Sequence, residues 1–172
     1  ILTYLVPVAM LCGMMPSTEL LKKYDLPEFY SALVTEVAAG NVWGYEKIIE
    51  NAEVREFLLR KGLWQVVYDL RVIVERKFFS LCHPLMTTPK SLSLEAIEHI
   101  LTALKPADIA TKYCSMADRV ELMVQRLIAY EYCKGFVKLD ASGCKQLHLV
   151  LNPNENRYFP QAKLRHPPTL NK

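Results

Sequence analysis

The stretch YCKGFVKLDASGCKQLHLVL, Tyr132 to Leu151, constrains the fold more than any other part of the chain. A helical pattern leads into it, with Val120, Met123, Val124, Leu127 and Ile128 on one face. Lys134-Gly135 breaks that pattern. Val137 and Leu139 then alternate with Phe136, Lys138 and Asp140, and Leu147, Leu149 and Leu151 alternate with Gln146, His148 and Val150. Two period-two runs, each with one apolar face and joined by Ala-Ser-Gly-Cys, form a hairpin laid on helices. Upstream, SLSLEAIEHILTAL reads as a helix with Ser93 as N-cap and Leu94, Ile97, Ile100, Leu101 and Leu104 facing inward. The segment KPADIATKYCSMAD is a less regular connection with a short helix inside it. Helix, connector, helix, hairpin is the order of a winged helix, expected over residues 86–152. Residues 153–172 read as an extended tail.

The first 85 residues read differently, as helices joined by short breaks. Ser17 or Thr18 can cap a helix whose first turn holds Glu19. The next helix, Pro27 to Ala39, ends at Gly40-Asn41, a C-cap signal. Tyr45, Ile48, Ile49 and Ala52 share one face of a third helix, and a short one from Val54 to Arg60 ends at Gly62. Leu63, Val66, Val67, Leu70, Ile73, Val74 and Phe78 carry the cleanest helical period of the chain. Pro84 and Pro89 in HPLMTTPK mark a subdomain boundary. The fold class expected is therefore mainly α: a helical-repeat or bundle subdomain, residues 1–85, followed by a C-terminal winged helix. No fixed-period repeat separates the repeat from the bundle.

The opening run, ILTYLVPVAMLCGMM, is interrupted by Pro7, has no basic segment before it, and is shorter than the ~20 residues a membrane span needs. It is expected to be a buried helix, and its start inside an apolar run reads as part of something longer. Five cysteines (Cys12, Cys82, Cys114, Cys133, Cys144) form no C-x-x-C pair and there is no N-x-S/T sequon, which points to free thiols in a reducing compartment and to no zinc site. No Gly-rich phosphate loop, HExxH or nucleophile elbow is present, and His83, His99, His148 and His166 are scattered, so no enzyme, metal or cofactor chemistry is expected.

A net charge of +3 does not announce a nucleic-acid binder, but the charge is uneven. Residues 131–172 carry seven Lys/Arg against three Asp/Glu, while the rest is balanced or slightly acidic. Lys134, Lys138, Lys145 and His148 lie on or near the outward side of the hairpin, with Arg157, Lys163 and Arg165 after it. Flexible lysines there suit phosphate contact without sequence preference, or simply keep a wing soluble. At 100° per residue, the outer face of the helix entering the hairpin holds Asp118, Glu121, Leu122, Gln125, Arg126, Ala129 and Tyr132. Two acids would repel phosphate, and only Gln125 and Arg126 could read bases. Leu122, Gln125, Ala129 and Tyr132 fit a protein partner, or packing on the chain's own connector. Arg55, Arg60, Lys61, Arg71, Arg76 and Lys77 form a second cationic group, able to receive an acidic segment or to pair with Glu53, Glu56, Asp69 and Glu75.

YLVPVAMLCGMMPSTELLKKYDLPEFY resembles a stretch in one branch of the PCI-domain family, roughly Y-L-I/V-P-V-x-M/L-L-x-G-x-M/L-P-S/T-x-E-L-L-x-K-Y-x-L. VAAGNV, FLLRKGLWQVVYDLRVIVERKFF, DRVELMVQRLIAYEYCKGFV and KQLHLVLNPNENRYFP resemble later segments of that branch in the same order, across nearly the whole chain. The connector at 105–116 is longer than the family pattern, and the family's Arg-Asn-Leu-Phe appears as Arg76-Lys77-Phe78-Phe79. The branch holds the Thp-type subunit of the nuclear transcription-export complex, its animal PCI-domain-containing counterpart and the COP9-linked subunit twelve. The resemblance implies a non-enzymatic scaffold subunit of a nuclear mRNA-export complex. The expected location is nuclear, extending to nuclear pores, with a cytoplasmic fraction allowed. The implied partners are a larger PCI-type scaffold, a small acidic proteasome-lid-type subunit, and RNA or other nucleic acid held by two winged helices side by side. In that setting Lys134, Lys138, Lys145, His148, Arg126, Lys163 and Arg165 are the candidate nucleic-acid contacts. Leu122, Gln125, Ala129, Tyr132, Arg71, Arg76 and Lys77 are the candidate partner contacts. The alternative keeps the fold in a COP9-signalosome-like or other PCI assembly without a nucleic-acid role.

Overall fold

A computed structural model of the chain describes residues 1–86, 90–108, 115–141, 143–151 and 158–160. It forms two compact units whose division falls between Val74 and Glu75, inside the longest helix, not at the Pro84 break. The first unit holds α1 (Leu2–Leu11), α2 (Thr18–Lys23), α3 (Phe29–Ala39), α4 (Val42–Glu50), α5 (Ala52–Arg60) and the start of α6 (Trp64–Cys82). Capping chemistry sets most of these boundaries. The Ser17 hydroxyl accepts from the Leu20 N–H and starts α2. Gly40, at φ 70°, turns the end of α3 into the left-handed region, and the Asn41 N–H returns to the Glu36 carbonyl. The Asn41 side chain then caps α4 by accepting from Gly44. Asn51 caps α5 by accepting from Glu53 and Val54, so that helix begins at Ala52, before the Val54 start read from apolar spacing.

Two tyrosines tie this unit together. Pro7, inside α1, has no N–H to give to the Thr3 carbonyl one turn back; the buried Tyr30 hydroxyl donates to that carbonyl instead, at 2.8 Å. Tyr45 of α4 donates to the Val67 and Tyr68 carbonyls of α6 at 2.8 and 3.1 Å. Each buries a large ring while satisfying its polar end. Met10, Leu21, Leu33, Leu58 and Leu70 complete the interior, each contributing about 1.5–3 kcal/mol by burial. The opening helix is buried on one side only. Val6, Pro7 and Met10 face the interior, while Tyr4, Leu5 and Val8 stay exposed, because the described residues cover a single face of α1.

The second unit holds the rest of α6, a short 3-10 turn at His83–Leu85, β1 (Ser91–Ser93), α7 (Leu94–Ala103), α8 (Met116–Ala129), β2 (Gly135–Leu139) and β3 (Lys145–Leu149). The strands form one antiparallel sheet in the order β1-β3-β2, completing a winged helix. β1 is an addition to the sequence reading, which began the helix at once; three residues are too few to show a period of two. Leu92 and Leu147 lie opposite one another on the covered face of the sheet. They are buried with Ile97 and Leu101 of α7 and Val120, Met123, Val124 and Leu127 of α8 in one core. Ser115 and Asp118 form a reciprocal capping box at the start of α8. The Tyr158–Pro160 segment returns to α6: Phe159 is buried 6.4 Å from Phe79, ring centre to ring centre, and Arg76 Nη1 donates to the Pro160 carbonyl at 2.9 Å. The short helix expected in the connector and most of the tail lie outside the described residues.

The helix entering the hairpin stops earlier than Gly135. Its cap is Tyr130, followed by Glu131 at φ 57°. The Tyr132 N–H returns to the Leu127 carbonyl and the Glu131 N–H to that of Ile128, a Schellman turn closed by a glutamate where glycine is usual. Gly135 instead starts β2, and its reason for being glycine is space: a Cβ there would stand 2.3 Å from the His148 carbonyl oxygen.

Candidate nucleic-acid and partner interface

The register of the hairpin sorts its side chains. Phe136 lies opposite His148, Val137 opposite Leu147, Lys138 opposite Gln146 and Leu139 opposite Lys145. Alternation therefore puts Lys134, Phe136, Lys138, Gln146 and His148 on the outer face of the sheet, and Val137, Leu139, Lys145, Leu147 and Leu149 on the face turned to the helices. Of the four cationic candidates in the hairpin, Lys134, Lys138 and His148 thus share a face. Lys145 does not: it lies on the helix-facing side, and its ammonium donates to Glu121 of α8. The expectation that it stands on the outward side is corrected by its odd position in the strand.

The outer face has one aromatic centre. The Phe136 and His148 rings stack with centres 5.4 Å apart and planes 18° from parallel, and Phe136 remains 57% exposed. Ser91 of β1 lies beside His148 in the ladder, and its hydroxyl donates to Gln146 Oε1. Asp140 closes the hairpin end, accepting from the Cys144 N–H and from the Gln146 amide. Among the described residues, neither Lys134 nor Lys138 is held in an ion pair.

Arg126 is committed inward. Its Nε donates to Glu75 Oε2 at 2.9 Å and its Nη2 to Oε1 at 2.5 Å, with the Glu75 side chain 2% exposed. A bidentate fork onto a buried carboxylate makes Arg126 a clamp between α6 and α8, not the exposed base reader its helical position suggested. On the outer side of α8, Leu122, Gln125 and Ala129 are exposed as expected, together with Tyr130. Tyr132 is buried, at 4%. The helical projection placed it outward, but the Glu131 turn comes first and sends it into the core with Cys133.

The helical cations are also engaged. Arg71 pairs with Glu46 at 3.7 Å and lies 4.7 Å over the Tyr68 ring. Arg60 pairs with Glu56 one turn back. Arg76 holds Pro160, as above, and Lys77 is partly exposed. Lys163 and Arg165 lie outside the described residues. Beside the hairpin, α7 and α8 border an open groove of ≈ 180 Å³ lined by Leu94, Ala117 and Val120 together with Glu95, Glu98 and Glu121. Burial pushes the Cys82 thiol up to about 11 and the Cys133 thiol up to about 12, so neither offers a ready thiolate. Among the described residues no three metal-ligating side chains come together, and no helix is long and apolar enough to cross a membrane.

A helical unit that runs into a winged helix is the architecture expected of a PCI domain. No protein-family model matches the chain. The chain is similar to PCI domain-containing protein 2 of Xenopus laevis, 32% identical over 137 residues, which is 80% of this chain and 32% of that protein. It is 42% identical over 79 residues to the Drosophila melanogaster homolog of that protein, 46% of this chain and 19% of the relative. It is 27% identical over 164 residues to the Dictyostelium discoideum homolog, 95% of this chain and 34% of the relative. Fold and relatives together support a PCI-domain protein. The chain spans about a third of the length of the Xenopus and Dictyostelium relatives.

Proposed function

We propose that the chain is a non-enzymatic scaffold subunit of the Thp-type branch, acting in a nuclear mRNA-export complex. Its winged helix pairs with that of a larger PCI-type subunit, a small acidic subunit joins them, and the paired wings hold RNA. The observation that carries the nucleic-acid part is the outer face of the sheet, where Lys134 and Lys138 flank an exposed ring without ion-pair partners among the described residues. Such lysines supply phosphate contacts without base preference. The partner part rests on β2. It is an edge strand, with Val137 44% and Leu139 58% exposed although both lie on the helix-facing side. Together with Leu122 on α8 they leave apolar surface of the kind a partner subunit covers.

The test is charge reversal at Lys134 and Lys138 in the purified complex. RNA affinity at low salt should fall. The slope of log affinity against log salt should lessen by about 0.7 for each single-strand phosphate that a lysine no longer neutralises. Unchanged affinity and slope would overturn the nucleic-acid reading. Mass spectrometry of the co-purifying subunits separates the export complex from a COP9-type assembly.

A further inference from the structure

We infer that the outer face of the wing sheet is a base-stacking platform for single-stranded nucleic acid, with Phe136 as the surface on which a base lies. This deepens the nucleic-acid reading above and rests on it. Phe136 is 57% exposed on the outer face of the edge strand β2, beside the central strand, and the buried core does not rest on it. Its neighbours tell what it is for. The His148 imidazole stacks on one side of it, nearly parallel, which holds the ring in place and leaves its other side open. Lys134 and Lys138 stand before and after it on the same face of β2, about 13 Å apart along an extended strand. A base on the open side of Phe136 would therefore have an ammonium near the backbone in each direction. The remaining floor, Ser91 and Gln146, is neutral, its polar groups bonded to each other and to Asp140. Among the described residues of the hairpin, Asp140 is the one carboxylate that alternation assigns to this face, at the hairpin end, so the strand would be tracked away from the tip.

The arrangement discriminates between strand forms. Stacking needs an unpaired base whose face is free, whereas a duplex presents only phosphates and groove edges to a flat sheet. Lysines alone would serve both forms alike. The ring is what prefers the single strand, and every base has a face to offer it, so little sequence preference accompanies it.

The experiment measures anisotropy of a short labelled oligouridylate and of a labelled RNA duplex with the intact protein, purified with its partners. Phe136→Ala and Phe136→Leu should each weaken the single strand by about five- to a hundredfold and leave duplex affinity within about twofold, while Phe136→Tyr keeps both. Leucine retains apolar bulk on an exposed strand site, so its loss cannot be ascribed to misfolding. Single-strand affinity undiminished in Phe136→Leu, with Lys134→Glu/Lys138→Glu still weakening both probes, would overturn the platform and leave the phosphate reading standing. If neither set of variants changes either probe, both fall. If Phe136→Ala changes only the sedimentation of the assembly, the face belongs to a protein contact and the proposal is wrong.

Discussion

Replacing Arg126 with alanine separates a structural clamp from a nucleic-acid contact. The guanidinium forks onto both oxygens of Glu75, whose side chain is 2% exposed, while the arginine itself is 33% exposed. Removing one partner of a buried pair typically costs about 3–5 kcal/mol, because the remaining charge loses both its fork and its water. Arg126 is reachable by solvent, so water can enter part of the vacated space and the lower end, about 3 kcal/mol, applies. At roughly 2–4 °C per kcal/mol for a chain of this size, the midpoint of thermal unfolding should fall by about 6–12 °C. Arg126→Lys keeps the charge but not the planar fork, and should fall between the two. Circular dichroism melts and urea titrations give the stability. RNA anisotropy, recorded well below the lowered midpoint, should match that of the parent protein. A midpoint unchanged within a degree, or a loss of RNA affinity while the fold is intact, would refute the clamp and return Arg126 to the binding surface.

The same logic sorts the outer face of α8. Tyr132→Ala should destabilise by about 3–5 kcal/mol, as large buried side chains do, whereas Leu122→Asp should shift stability by no more than about 0.5 kcal/mol and act on partner binding instead; urea midpoints and co-purification of the two variants distinguish them. Gly135→Ala should weaken the sheet without touching any charge, because its methyl would overlap the His148 carbonyl, and hydrogen exchange at Val150, whose N–H donates to the Lys134 carbonyl at 2.7 Å, should accelerate first. Stability should also decline on the alkaline side. The buried Cys133 and Cys82 thiols titrate near 9.0 when unfolded and only near 12 and 11 when folded, so the unfolded chain sheds protons the folded one keeps. That contribution is complete below pH 9 and fades as pH rises toward 12; a Cys133→Val variant should show a shallower decline of the urea midpoint above pH 9, and an identical decline would contradict the assignment.

What could be read from the sequence and what could not divides along physical lines. The winged helix was legible because its two periods, 3.6 and 2, are written in apolar residues that burial selects: Val120 to Leu127 on α8, and Leu147 and Leu149 on β3. The failures have a common cause, which is that chain direction changes within one or two residues without an apolar signal. Glu131 takes the left-handed conformation that glycine would have announced, and so Tyr132 passed for one more helical position. Gly135 looked like the stop but answers to a carbonyl on the neighbouring strand, a contact set by register. Asn51 showed its role only through the hydrogen bonds it accepts. The charged candidates fared by the same rule. Strand parity alone decides the face of Lys134 and Lys138, so alternation in the sequence suffices to set it. The same parity sets Lys145 with Leu147 and Leu149 on the helix-facing side, so its place was legible in the strand, whereas the fate of Arg126 depended on Glu75, 51 positions away in sequence. No local pattern encodes such pairings, since the Coulomb term acts between whatever the fold brings close. Phe136 lies between these cases. Its alternation marked it as outward, but its importance appears only once His148 is seen stacked beneath it across the strand. An aromatic ring on a strand, flanked at two residues on either side by lysine, is the pattern that would have found it, because it sets phosphate contacts on both sides of a stacking surface.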